Sequence, residues 1–76
     1  MIKCNLSKIL GEKRMHILEL KRLTGLSYTT LSRLYHEKTT RIDFDTMDAI
    51  CRVLEIQPGD LFEYIPEEKK ETKQRR

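Results

Sequence analysis

The sequence predicts an all-α fold of five short helices, and three observations predict it. Apolar residues recur at helical spacing in five separate stretches. Cap and turn residues separate most of these stretches. Strand-like alternation is confined to the first four residues and to one stretch near the far end. Seventy-six residues make one domain. A chain this small buries only about 60% of its unfolded surface, so its helices must pack well or lean on a partner.

Met1 to Asn5 begins with the tetrad MIKC, whose alternation suits a short strand. Asn5 is placed to cap a first helix from Leu6 to about Arg14, with Leu6, Ile9 and Leu10 on its inner stripe and Lys8, Glu12 and Lys13 outward. Met15 and His16 form the corner, and His16 either caps the next helix, lies against a nucleic-acid backbone or stands half-exposed. From Ile17 to His36 the chain reads as two helices joined at Gly25-Leu26-Ser27. Leu20, Leu23 and Thr24 face inward from the first, Leu31 and Leu34 from the second. Gly25 suits a left-handed C-cap, and Ser27 suits an N-cap whose hydroxyl accepts a free amide.

Glu37 to Arg41, EKTTR, is a loop with two hydroxyls and two cations. Asp43 caps a fourth helix running to about Leu54, with Phe44, Met47, Ile50, Cys51 and Leu54 toward the core. Pro58 opens a fifth helix, PGDLFEYI. Leu61, Phe62 and Ile65 either pack on the first and fourth helices or run extended beside Ile2 to Cys4. Residues 1–66 form the folded domain on this reading, and 67–76, a charge-alternating run after Pro66 with no apolar residue, form a flexible tail.

Charge is unevenly placed. Met1 to Arg41 holds nine Lys or Arg against three acids, whereas Ile42 to Glu68 holds one Arg against eight. A polyanion binder that grips with one side shows this division, because cations meet phosphates and acids repel the duplex elsewhere. Cys4, Cys51, His16 and His36 are scattered singly, without paired metal-ligand spacing, so no metal and no cofactor are expected. Nothing resembles a phosphate loop, a nucleophile with its base or a pair of facing carboxylates, so an enzyme is not expected. Neither a membrane span nor a signal peptide is legible, and the expected location is the cytoplasm.

The outer side of the helix after Ser27 is rich in hydrogen-bonding groups and carries no acid before Glu37. Tyr28, Thr29, Ser32 and Arg33 are candidate base-contacting residues for a helix whose amino end enters the major groove of double-stranded DNA. Arg33 is also spaced to pair with Glu37 at i+4. Lys21, Arg22, Ser27, Thr30, Lys38, Thr39, Thr40 and Arg41 are candidate backbone contacts.

Gly25-Leu26-Ser27, the leucines at fixed offsets from that glycine and the downstream AICRVLEIQPGDLFEY together resemble the Cro/repressor helix-turn-helix family, also called XRE-type, over about Leu6 to Pro66. The resemblance implies a five-helix lambda-repressor-like domain whose third helix lies in the major groove. It places base reading on Tyr28, Thr29 and Arg33, backbone contacts on Ser27 and Thr30, and loop contacts on Lys38 and Arg41. Three positions depart from the family pattern: Ile17 stands where Gln is usual, Lys21 where Ala is usual, and Glu37 where Gly is common. A homodimer on a palindromic site is the expected assembly, suggested by small size and by Phe62, Tyr64 and Ile65. The rival is a protein-interaction module, an antitoxin or anti-repressor, working through acidic helices four and five.

Overall fold

The computed structural model describes residues 1–66, and the expected tail at 67–76 lies outside the described residues. Seven elements follow in chain order: β1 (Ile2–Cys4), α1 (Leu6–Lys13), α2 (Ile17–Thr24), α3 (Tyr28–Tyr35), α4 (Phe44–Leu54), α5 (Pro58–Leu61) and β2 (Phe62–Tyr64). The chain is mostly helical, with one small antiparallel sheet in which Ile2 faces Tyr64, Lys3 faces Glu63 and Cys4 faces Phe62.

Every helix contributes to one core. Leu6 and Leu10 of α1, Leu20 of α2, Leu31 and Leu34 of α3, Ile50 and Leu54 of α4, and Leu61 of α5 are all fully buried. Each such side chain removed from water contributes roughly 1.5–3 kcal/mol, and that is what holds helices this short in place. α2 packs against both α3 and α4, α1 against α3, and α5 against α4.

Four stripe assignments need correction: Met47 and Cys51 are only half-buried and stand at the margin of the core, and two further residues are exposed. Leu23 is 47% exposed, and the inner stripe of α2 runs through Ile17, Leu20 and Thr24 instead. The Thr24 hydroxyl donates to the Leu20 carbonyl at 2.8 Å and accepts the Leu26 amide at 3.2 Å, which turns that side of the helix toward the corner. Phe44 is 85% exposed rather than in the core. It is the first residue of α4, and helical Cβ atoms tilt toward the amino end, so its ring projects beyond the packed layer.

Two expected caps are also absent. Asn5 makes no side-chain cap on α1; its amide nitrogen donates to the Asp60 carbonyl at 3.4 Å and to the Glu63 carboxylate at 3.3 Å. His16 makes no side-chain cap on α2. The expected fifth helix stops at Leu61, and the next three residues take the extended alternative beside β1. The Asn5 amide donates to the Leu61 carbonyl at 2.7 Å, and Met1 and Ile65 exchange bonds at 2.7 Å, so the two ends of the described chain are tied together.

Candidate nucleic-acid interface

The corner between α2 and α3 is built by three small residues. Gly25 ends α2 in the left-handed region at φ 78°, where a side chain is disfavoured, and its amide donates to the Lys21 carbonyl at 2.8 Å. Ser27 then adopts an extended backbone, and its hydroxyl accepts the Thr30 amide at 3.1 Å while donating to the Thr30 hydroxyl at 2.8 Å. Ser27 and Thr30 are therefore partners of each other at the helix start.

With Leu31 and Leu34 buried, Tyr28, Thr29, Ser32 and Arg33 share the opposite side of α3. Tyr28 is 46% exposed, Thr29 and Arg33 are exposed, and Ser32 is half-buried. Arg33 does not bond to Glu37. Its guanidinium donates to the Lys38 carbonyl at 3.1 Å, which uses one of its five N–H donors and holds the group beside the loop. Arg33, Thr30, Thr39 and Arg41 come together on an open groove of about 390 Å³, which Asp43 and Thr46 also line. Lys38 and Thr40 are exposed in the same loop, and Lys21 and Arg22 are exposed in the last turn of α2. Tyr28 and Thr29, at the other end of α3, do not line that groove.

Glu37 carries a role that the spacing did not reveal. It sits at φ 57°, the left-handed region where glycine is usual, just past the end of α3. Its amide donates to the Leu34 carbonyl at 3.2 Å and the next amide, of Lys38, reaches back to Arg33 at 2.8 Å, the paired closure of a left-handed helix end. Its carboxylate accepts the Cys4 amide of β1 at 3.4 Å. The end of α3, the start of the cationic loop and the terminal sheet thus meet at one residue. A non-glycine residue at the family's glycine position was the available signal.

Both thiols are free. Burial pushes Cys4 above the ordinary thiol range, and burial with the nearby Asp48 and Asp60 carboxylates does the same to Cys51, so neither is activated toward nucleophilic chemistry. Among the described residues no three His, Cys, Asp or Glu side chains gather as metal ligands, and no helix is long and apolar enough to cross a membrane.

Comparison with known proteins adds two findings. The family model of the Cro/C1-type HTH DNA-binding domain matches residues 5–67. A Bacillus subtilis strain 168 protein, the "Uncharacterized HTH-type transcriptional regulator YozG", is 38% identical over 64 residues, covering 84% of this chain and 76% of its own length. No solved structure matches the chain.

Proposed function

The chain belongs to the Cro/C1-type helix-turn-helix DNA-binding domain family, and from that premise we propose that it reads a short double-stranded DNA site through α3 and regulates transcription there. The helices take the lambda-repressor-like arrangement, residues 1–66 are the binding unit, and the amino end of α3 enters the major groove. Tyr28, Thr29, Ser32 and Arg33 face base edges; Lys21, Arg22, Ser27, Thr30, Lys38, Thr39, Thr40 and Arg41 hold the strands. Two copies occupy a palindromic site.

One observation carries this reading. The polar side of α3 is left uncovered by the rest of the described chain, and a loop bearing Lys38 and Arg41 runs directly after it. Phosphate binding needs exposed cations, and base reading needs donors and acceptors that are not already buried. The regulatory role follows the name of the Bacillus subtilis relative.

Selection of bound duplexes from a random pool tests it. A recovered motif with two inverted half-sites is the expected result, and a pool that never departs from random sequence overturns the reading. The rival use of α4 and α5 to hold another protein draws on their acidic face, where Asp45, Asp48, Glu55 and Asp60 are exposed. A partner retained after nuclease treatment, with no duplex enriched by selection, would favour it.

A further inference from the structure

A cavity of about 510 Å³ is lined by the terminal sheet, the end of α3, the loop after it and α4. Ile2 and Phe62 enter from one side of the sheet, because Cys4 stands two residues from Ile2 and directly across from Phe62. Leu34, Ile42 and Met47 supply the remaining apolar walls. The polar lining comes from the loop: Glu37, Arg41 and two threonines. A mostly apolar hollow of this size with a few polar groups is the usual form of a small-molecule site. Neither the DNA-binding reading nor the core has a use for it.

Two ionised side chains line the cavity, one of each sign. Glu37 is anchored by its left-handed backbone at φ 57°, and its carboxylate accepts the Cys4 amide at 3.4 Å. That single long bond leaves the carboxylate with acceptor sites to spare. The Arg41 guanidinium is exposed and has no hydrogen-bond partner among the described residues, so its five N–H donors are available. The Met1 ammonium is already bonded to the Ile65 carbonyl at 2.7 Å. We propose that the cavity binds an apolar α-amino acid, with its ammonium on Glu37, its carboxylate on Arg41 and its side chain among Ile2, Leu34, Met47 and Phe62. Charge complementarity selects this class. An aliphatic acid satisfies Arg41 but brings a second carboxylate to Glu37, and an aliphatic amine satisfies Glu37 but brings a second cation to Arg41. A zwitterion meets each group with its opposite and leaves its apolar part for the walls.

The site adjoins the candidate interface. Thr39 and Arg41 line both this cavity and the groove beside Arg33. The consequence for regulation rests on the DNA-binding reading: a guanidinium held by the ligand carboxylate is lost to a phosphate. Bound amino acid then weakens duplex binding, and bound duplex weakens amino-acid binding by the same factor. Removing one phosphate contact lowers the salt slope by about 1.

Calorimetric titration of the full chain without DNA tests the site directly, with L-leucine and L-phenylalanine as probes. Saturable binding of at least one, at about millimolar concentration or below, is the expected result. Leucinamide lacks the carboxylate and 4-methylpentanoate lacks the ammonium, and each should bind roughly ten-fold or more weakly than leucine, as loss of one charge-assisted bond requires. Arg41→Gln should erase the preference for leucine over leucinamide. Glu37→Gln keeps an acceptor for the Cys4 amide and should erase the preference over 4-methylpentanoate. Met47→Trp should fill the hollow and abolish binding, with circular dichroism as the check on its fold. No binding of either amino acid, equal binding of leucine and both analogues, or preferences that survive both glutamine variants would each overturn the proposal. Saturating leucine that leaves the salt slope of duplex binding unchanged would overturn the shared use of Arg41. The two readings fail separately. If no duplex binds, calorimetry still decides the amino-acid site; if no amino acid binds, duplex selection still decides DNA binding.

Discussion

α3 begins at Ser27 and α4 at Asp43, and in each the capping side chain accepts the amide three residues on, at 3.1 Å from Thr30 and 2.9 Å from Thr46. Each helix then buries two large aliphatic side chains, Leu31 and Leu34 in one, Ile50 and Leu54 in the other. Their outer sides have little in common. That of α3 carries a phenol, hydroxyls and a guanidinium and leads into a cationic loop; that of α4 carries a bare phenyl ring and the carboxylates of Asp45 and Asp48. Cap and stripe decide that a helix forms and where it packs. The partner is decided by what the stripe leaves outside.

The sharpest way to break this comparison is to attack the shared part. Leu31→Ala and Ile50→Ala each remove a fully buried side chain, and each should cost about 2–5 kcal/mol in denaturant unfolding. A loss below about 1 kcal/mol at either site would mean that the two interiors are not equivalent.

The next largest effect separates the outer sides. Arg33→Ala should relax discrimination at one base position by about 1–3 kcal/mol in competition binding, whereas Arg52→Ala on α4 should leave half-site affinity unchanged. Lys38→Ala or Arg41→Ala should weaken binding to every sequence and lower the salt slope by about 1. Equal losses on all sequences for Arg33→Ala would place that side chain on phosphate, beside the loop whose Lys38 carbonyl it already touches.

Helix ends give a smaller contrast. Gly25 has open space where a Cβ would go, so Gly25→Ala pays only for its left-handed backbone, about 1 kcal/mol. Glu55 ends α4 in the same region, at φ 57°, with a side chain in place. Glu55→Gly should therefore stabilise the fold by roughly 0.5–1 kcal/mol, read from the thermal midpoint.

The smallest effect depends on pH. The Thr46 hydroxyl and then its amide hold the Asp43 carboxyl below the ordinary carboxylate range. A depressed folded value means that the cap stabilises α4 above the unfolded value, near pH 4, and is lost as pH falls below it. Ser27 does not titrate there. Acid should speed hydrogen exchange at the Thr46 amide relative to Thr30, and Asp43→Asn should abolish that difference.

Local signals that depend on a few neighbouring residues were legible in the sequence. Gly25 with Ser27, Asp43 ahead of α4 and the Leu6, Ile9, Leu10 stripe all stand as read, because capping and helical periodicity act within one or two turns. The stripes went astray at their margins. Leu23 and Phe44 fit the apolar spacing, but which edge of a stripe is covered depends on where the neighbouring helix lies. The candidate interface divided in the same way. Its residue types were readable, but the grouping of Arg33 with Thr39 and Arg41, and the Glu37 bond to Cys4, join positions whose proximity no spacing rule states.

By itself, then, the order of residues determined five helices, the caps at Ser27 and Asp43 and the division between a cationic first half and an acidic second half, since these follow from backbone preference and counting. Tertiary structure alone decided that Ile2–Cys4 and Phe62–Tyr64 pair as a sheet, that Arg33 turns to the loop rather than to Glu37, and that Phe44 is left in water. Those outcomes turn on contacts between residues distant in sequence or at the ends of elements. Their free energies compare competing neighbours, and the neighbours exist only once the chain has folded.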